Sequence, residues 1–117
     1  MKKILLTLTV LFMLVGSLAY AEAYYSNEAI AEAIFWAEGG YHTNWPYGIK
    51  SVYCKGIEEC KEVCLNTIQN NRVRYSEYGH REYKDYLSFL ASRYCPASVD
   101  GCETWLPNVQ SYLNKNR

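Results

Sequence analysis

The sequence predicts a mainly α-helical domain of about four helices with one long aromatic loop, stapled by disulfides. Three observations carry this. Four segments place apolar residues at helical spacing, strand signals are weak, and five cysteines fall in a short chain. The 117 residues open with a charged stretch holding Lys2 and Lys3, followed by an apolar run and small residues. Ala19-Tyr20-Ala21 and Ala21-Glu22-Ala23 are overlapping A-x-A cleavage candidates. Residues 1–23 therefore read as a secretory signal peptide, cut after Ala21 or Ala23. The apolar run is short for a membrane span, so no stable insertion is expected after cleavage. Residues 24–117 then form a single domain of about 94 residues, a size at which a core is marginal without staples.

The first helical pattern covers residues 27–38, with Ile30, Ala33, Ile34 and Ala37 on one stripe. Ser26 or Asn27 can cap its start, and Gly39 stops it. Residues 39–56 form the long loop, in which 50–54 can be a short extended piece. The second pattern covers 57–75, with Ile57, Cys60, Cys64 and Ile68 in line. The third covers 82–94, with Tyr83, Leu87, Leu90, Ala91 and Tyr94, and ends at Cys95-Pro96, because the residue before proline resists the helical region. The fourth covers 105–113, with Trp105, Val109, Tyr112 and Leu113. Pro107 falls in its first turn, where a missing N–H costs nothing.

Composition narrows the function. Removing Lys2, Lys3 and Glu22 from twelve basic and twelve acidic side chains leaves ten and eleven. Such a balance offers no electrostatic case for nucleic acid or for an anionic membrane. An exported chain places its cysteines in an oxidising compartment, where disulfides are the natural reading, and an odd count leaves one thiol over. A zinc site built from Cys54, Cys60, Cys64, His42 and His80 lacks a C-x-x-C pair. No metal or cofactor is expected, and the protein is expected to be a monomer. Twelve tyrosines suit a surface that stacks on flat ligands, although most can equally fill a small core.

Glu38 is the residue that stands out. It lies one turn after Ile34 and two after Ile30, on their inward stripe, at a helix C-terminus. Burial and the negative end of a helix both disfavour an ionised carboxyl, and a carboxyl that keeps its proton can act as a general acid. A solvated residue in the last turn is the alternative, and Glu38 and its helix alone leave both open. The loop adds Tyr41, Trp45 and Tyr47, aromatic faces that suit the apolar faces of sugar rings, with His42 and Asn44 as polar partners. Packing over the core is the competing use of each ring.

Four segments occur in order: AEGGYHTNWPYGI, CLNTIQNN, FLASRYCP and TWLPNVQSYL. Together they resemble small exported bacterial proteins with a lysozyme-like domain of the soluble lytic transglycosylase kind, over essentially all of residues 24–117. The resemblance implies that Glu38 is the single catalytic glutamate and that Tyr47-Gly48-Ile49 lines the cleft. It also implies that Asn66-Thr67-Ile68 is the asparagine-containing start of the next helix and that Tyr94 faces the acid. Glu38 is followed by Gly39 where that superfamily has serine, Lys50 and Ser51 replace a glutamine, and Cys95 replaces an asparagine. With the resemblance, Cys64 and Cys95 are paired across the second and third helices, while Cys54 and Cys60, close in sequence, form the second bridge. Cys102 is then left over, and Cys95–Cys102 is the competing connectivity.

The implied substrate is the peptidoglycan glycan strand, cut between N-acetylmuramic acid and N-acetylglucosamine by a periplasmic or secreted enzyme. A hydrolase needs a second carboxylate, and none occurs from Gly39 to Gly56. Asp85 and Asp100 read as a solvated helix face and an Asp-Gly turn. A lytic transglycosylase needs one carboxyl only, which favours it over a muramidase. The alternative from a different class is a non-catalytic peptidoglycan-binding or protein-interaction module with a degenerate cleft.

Overall fold

The computed structural model describes residues 24–115. The expected signal peptide lies outside them. Four α-helices occur in this stretch: α1 (Asn27–Ala37), α2 (Gly56–Glu77), α3 (Tyr86–Tyr94) and α4 (Trp105–Lys115). Short 3₁₀ turns at Gly40–His42, Pro46–Gly48 and Gly79–Arg81 punctuate the connections. Residues 50–54, read as a possible extended piece, are irregular, and no strand is present among the described residues.

Helix α1 is the centre of the packing. Ser26 caps it by accepting the Ala29 N–H at 3.1 Å. Ile30 and Ile34 are buried together with Ala31 and Ala33, and these small residues let the helix meet α4 on one side and α2 on the other. Helix α2 is long and mostly polar. Its buried stripe is Cys60, Cys64, Ile68 and Asn71, at helical spacing. Leu90 of α3 and Trp105, Val109 and Leu113 of α4 close the same core. Arg72 of α2 ties down the start of the described chain. It donates to the Asn27 side chain and the Tyr25 carbonyl and lies over the rings of Tyr24 and Tyr86, at 4.9 and 4.5 Å.

Helix α3 begins four residues later than its periodicity predicts. Asp85, read as a solvated helix face, is its N-cap: the carboxylate accepts the Ser88 N–H at 2.8 Å and the Ser88 hydroxyl at 3.1 Å. Upstream of the cap, Gly79–Arg81 forms a separate 3₁₀ turn. Helix α4 runs two residues past Leu113, to Lys115, with Pro107 in its first turn as expected.

The disulfides are Cys54–Cys60 and Cys95–Cys102, spanning 6 and 7 residues. Cys54–Cys60 is the bridge expected from proximity, whereas Cys64–Cys95 does not form. Cys64 is a free thiol buried in the core. Adjacent helical residues project about 100° apart. Tyr94 takes the inward direction at the end of α3, its hydroxyl 3.8 Å from Cys64 Sγ, and Cys95 is turned away toward Cys102. On the chain-entropy view each short bridge contributes roughly 2–2.5 kcal/mol. Among the described residues, no helix is long and apolar enough to cross a membrane.

Candidate active site

Glu38 is the C-cap of α1, its N–H bonded to the Ile34 carbonyl. It is half-buried, less enclosed than its place on the apolar stripe predicts. Its carboxyl folds over Gly48. A Cβ built on Gly48 would lie 2.5 Å from the Glu38 carboxyl carbon and 2.6 and 2.9 Å from the two oxygens. The carboxylate thus occupies the space of the side chain that Gly48 lacks. No hydrogen bond or ion pair to this carboxylate occurs among the described residues.

The turn beneath it is unusual. Tyr47 adopts a left-handed backbone (φ 61°, ψ 15°), and Gly48 follows at φ 68°. A non-glycine residue held there is strained by about 1–2 kcal/mol and persists only where its surroundings enforce it. Two contacts do so. The Tyr47 ring is buried against Phe35, with centroids 5.2 Å apart, and the Tyr94 hydroxyl donates to the Tyr47 carbonyl. Tyr94 is itself stacked on Trp105 at 5.1 Å. Burial above all, and then the neighbouring Cys64 sulfur, hold the Tyr94 phenol well above the ordinary tyrosine range. It therefore remains a hydrogen-bond donor at neutral pH.

Two adjoining cavities share residues 49–52 as a common wall. One, of about 400 Å³, is lined by Asn44, Trp45, Pro46, Tyr53 and the Cys54–Cys60 bridge. The other, of about 370 Å³, is lined by Gly48, Val63, Thr67, Arg93 and Tyr94. Together they make a groove with Trp45 and Tyr53 at one end, Arg93 and Tyr94 at the other, and Lys50 in the wall between. Neither cavity is lined by Asp or Glu. Glu38 does not line the groove directly; it lies against Gly48, which does.

The structure brings Asn44, Trp45, Gly48, Ile49 and Tyr94 to this groove. Three expected substrate-binding residues lie elsewhere. Tyr47 is a core ring that borders a third cavity, and Tyr41 lines that cavity too, with Glu28, Glu32, Trp36 and Glu58. Asn66, expected at the start of a helix, lies in the middle of α2, because the helix already begins at Gly56; it is exposed and lines none of the three, its place in the groove taken by the next residue, Thr67. Lys50, Ser51, Tyr53, Thr67 and Arg93 are groove residues that sequence reasoning missed. They come from three separate segments; the resemblance touched Lys50 and Ser51 as replacements of a cleft glutamine, and Thr67 and Arg93 only as neighbours of Asn66 and Tyr94. No group of three or more His, Cys, Asp and Glu side chains converges as metal ligands among the described residues. Comparison with protein-family models, curated proteins and solved structures yielded no match.

Proposed function

We propose that the chain is an exported lytic transglycosylase with a lysozyme-like domain, acting on peptidoglycan in the periplasm or outside the cell. The single observation that carries this is Glu38, a half-buried carboxyl without hydrogen bond or ion pair among the described residues, folded onto a strained turn at the edge of an aromatic groove. A carboxyl that no protein group engages is available to a ligand in the adjoining groove.

In this reading the protonated Glu38 carboxyl donates to the glycosidic oxygen, and the bond from that oxygen to C1 of the muramic acid breaks. The resulting carboxylate then takes the proton of the muramic 6-hydroxyl as its oxygen closes on C1. The anhydro ring forms, Glu38 regains its proton, and no water is consumed. One carboxyl suffices. A hydrolase needs a second, about 5–9.5 Å away, and the groove lining offers none. The exposed ring of Trp45 supplies a stacking face for a sugar. The two disulfides suit an oxidising compartment.

One observation favours a second reading, binding without cleavage: Glu38 reaches the groove only across Gly48. Mass spectrometry of peptidoglycan digested with residues 24–117 separates the readings. Anhydro ends are expected. Reducing ends would point to hydrolysis, and bound but uncut glycan would point to a binding module.

A further inference from the structure

The second cavity has a donor surplus that the proposed bond cleavage does not use. Lys50 and Arg93 both line it, one from the loop and one from the last turn of α3. Neither makes an ion pair or a hydrogen bond through its side chain among the described residues. The other polar side chains of the lining are differently placed. The Thr67 hydroxyl proton is committed to the Val63 carbonyl at 2.9 Å, and that of Tyr94 to the Tyr47 carbonyl. The side-chain donors that remain to a ligand are two cations and the Ser51 hydroxyl, and no Asp or Glu lines the cavity with them. A neutral sugar, which presents donors and acceptors equally, leaves such a lining unmatched. A carboxylate matches it, because it only accepts and its charge is complementary.

We infer that Lys50 and Arg93 form a carboxylate subsite of the groove, selecting glycan that carries an anionic substituent over uncharged chitin-like glycan. This rests on the glycan-cleft reading above and adds to it a specificity pair. Two sources present the same chemistry: the carboxylates of a peptide stem, and the lactyl carboxylate that is freed when the stem is removed.

The test is direct binding, by calorimetry, of Glu38→Gln protein to three soluble glycans at low and raised salt. One keeps its peptide stems, one has been stripped of them and so bears free lactyl carboxylates, and one is a chitin oligosaccharide. Salt-sensitive binding to the first alone assigns the stem, and to the second, with or without the first, the lactyl group. Either supports the subsite, with chitin bound more weakly. Lys50→Gln with Arg93→Gln should weaken binding of the charged glycan on the order of 5–10-fold and flatten its salt dependence. Lys84→Gln, which removes an exposed cation outside the groove, should do neither. Both substituted groove residues are exposed and unpaired, so the fold is expected to survive, and equal melting temperatures check it. Equal binding of all three glycans, or a double variant with wild-type affinity, overturns the subsite and leaves the glycan reading standing. Binding to none of the three overturns both.

Discussion

Gly48 lies in the turn before α2 and Gly79 in the turn after it, and the space beside each is filled by a neighbouring side chain. At Gly79 an added Cβ would meet the Phe89 ring at 2.6 Å; at Gly48 it would meet the Glu38 carboxyl at 2.5 Å. The surroundings differ in kind. Around Gly79 the rings of Tyr75, Tyr78, Tyr83 and Phe89 pack on one another, Tyr75 donates to the Tyr83 carbonyl, and nearby Tyr86 donates to the Ile68 carbonyl. That region spends its tyrosines on itself. In the loop around Gly48 the rings of Trp45 and Tyr53 are exposed, and the filling group is a carboxyl with no tie among the described residues. The difference teaches that a glycine filled by its neighbour can sit in a packed aromatic cluster or beside an open carboxyl, and that tyrosine content alone does not tell the two apart.

The comparison breaks most visibly at Gly48. Gly48→Ala forces a side chain into a left-handed position and pushes the Glu38 carboxyl aside. Wall-lytic activity should fall on the order of 100-fold, since misplacing a reacting group by about 1 Å costs that much. The stability loss should stay near 1–2 kcal/mol. Gly79→Ala should do the reverse. Overpacking against Phe89 should cost about 1–3 kcal/mol, seen as a lowered melting temperature, with specific activity unchanged below the transition. If both variants lose activity in proportion to stability, the two regions are not different in kind.

Tyr94→Phe sharpens the contrast, because Tyr94 couples the core to the site. Losing its hydroxyl leaves the Tyr47 carbonyl without that donor and should cost about 1–2 kcal/mol while lowering lytic turnover several-fold through a loosened Tyr47-Gly48 turn. The corresponding change near Gly79, Tyr86→Phe, also removes a buried donor and should lower stability alone. Equal turnover in the two variants at matched temperature would remove Tyr94 from the site.

How much of this was legible in the sequence depends on whether the signal was local. Helix α1 could be read because Ser26, the apolar stripe and Gly39 lie within one stretch. The start of α3 was misplaced because Tyr83 continues its apolar pattern backward, while the Asp85 cap overrides that pattern. The stripe of Cys60, Cys64 and Ile68 correctly placed Cys64 inside, but periodicity does not say what faces it. The Tyr94 ring fills the position across which a bridge to Cys95 was expected. The groove was the least legible feature. Its two cations, Lys50 and Arg93, lie about forty positions apart and share no local pattern.

The smallest effect concerns pH. Burial pushes the Cys64 thiol up from 9.0 to about 12. A group whose folded pKa is raised stabilises fully below its unfolded value, and that contribution is lost as pH rises toward the folded value. Denaturant midpoints should therefore decline from about pH 9 upward. Cys64→Ala removes the thiol's share, so its midpoint should start lower but decline less steeply between pH 9 and 10. Equal slopes in the two proteins would mean that the thiol is not buried as described.

The central claim is that Glu38 is the proton donor and acceptor of a glycan-cleaving site. Its most direct test is soluble muropeptide released from purified sacculi by wild type and by Glu38→Gln, at equal sacculus binding and equal melting temperature. The account predicts anhydro-muropeptides from wild type and a loss on the order of 100-fold or more in the variant, the usual scale for removing a general acid–base. Release of the same products at the same rate by Glu38→Gln would contradict it.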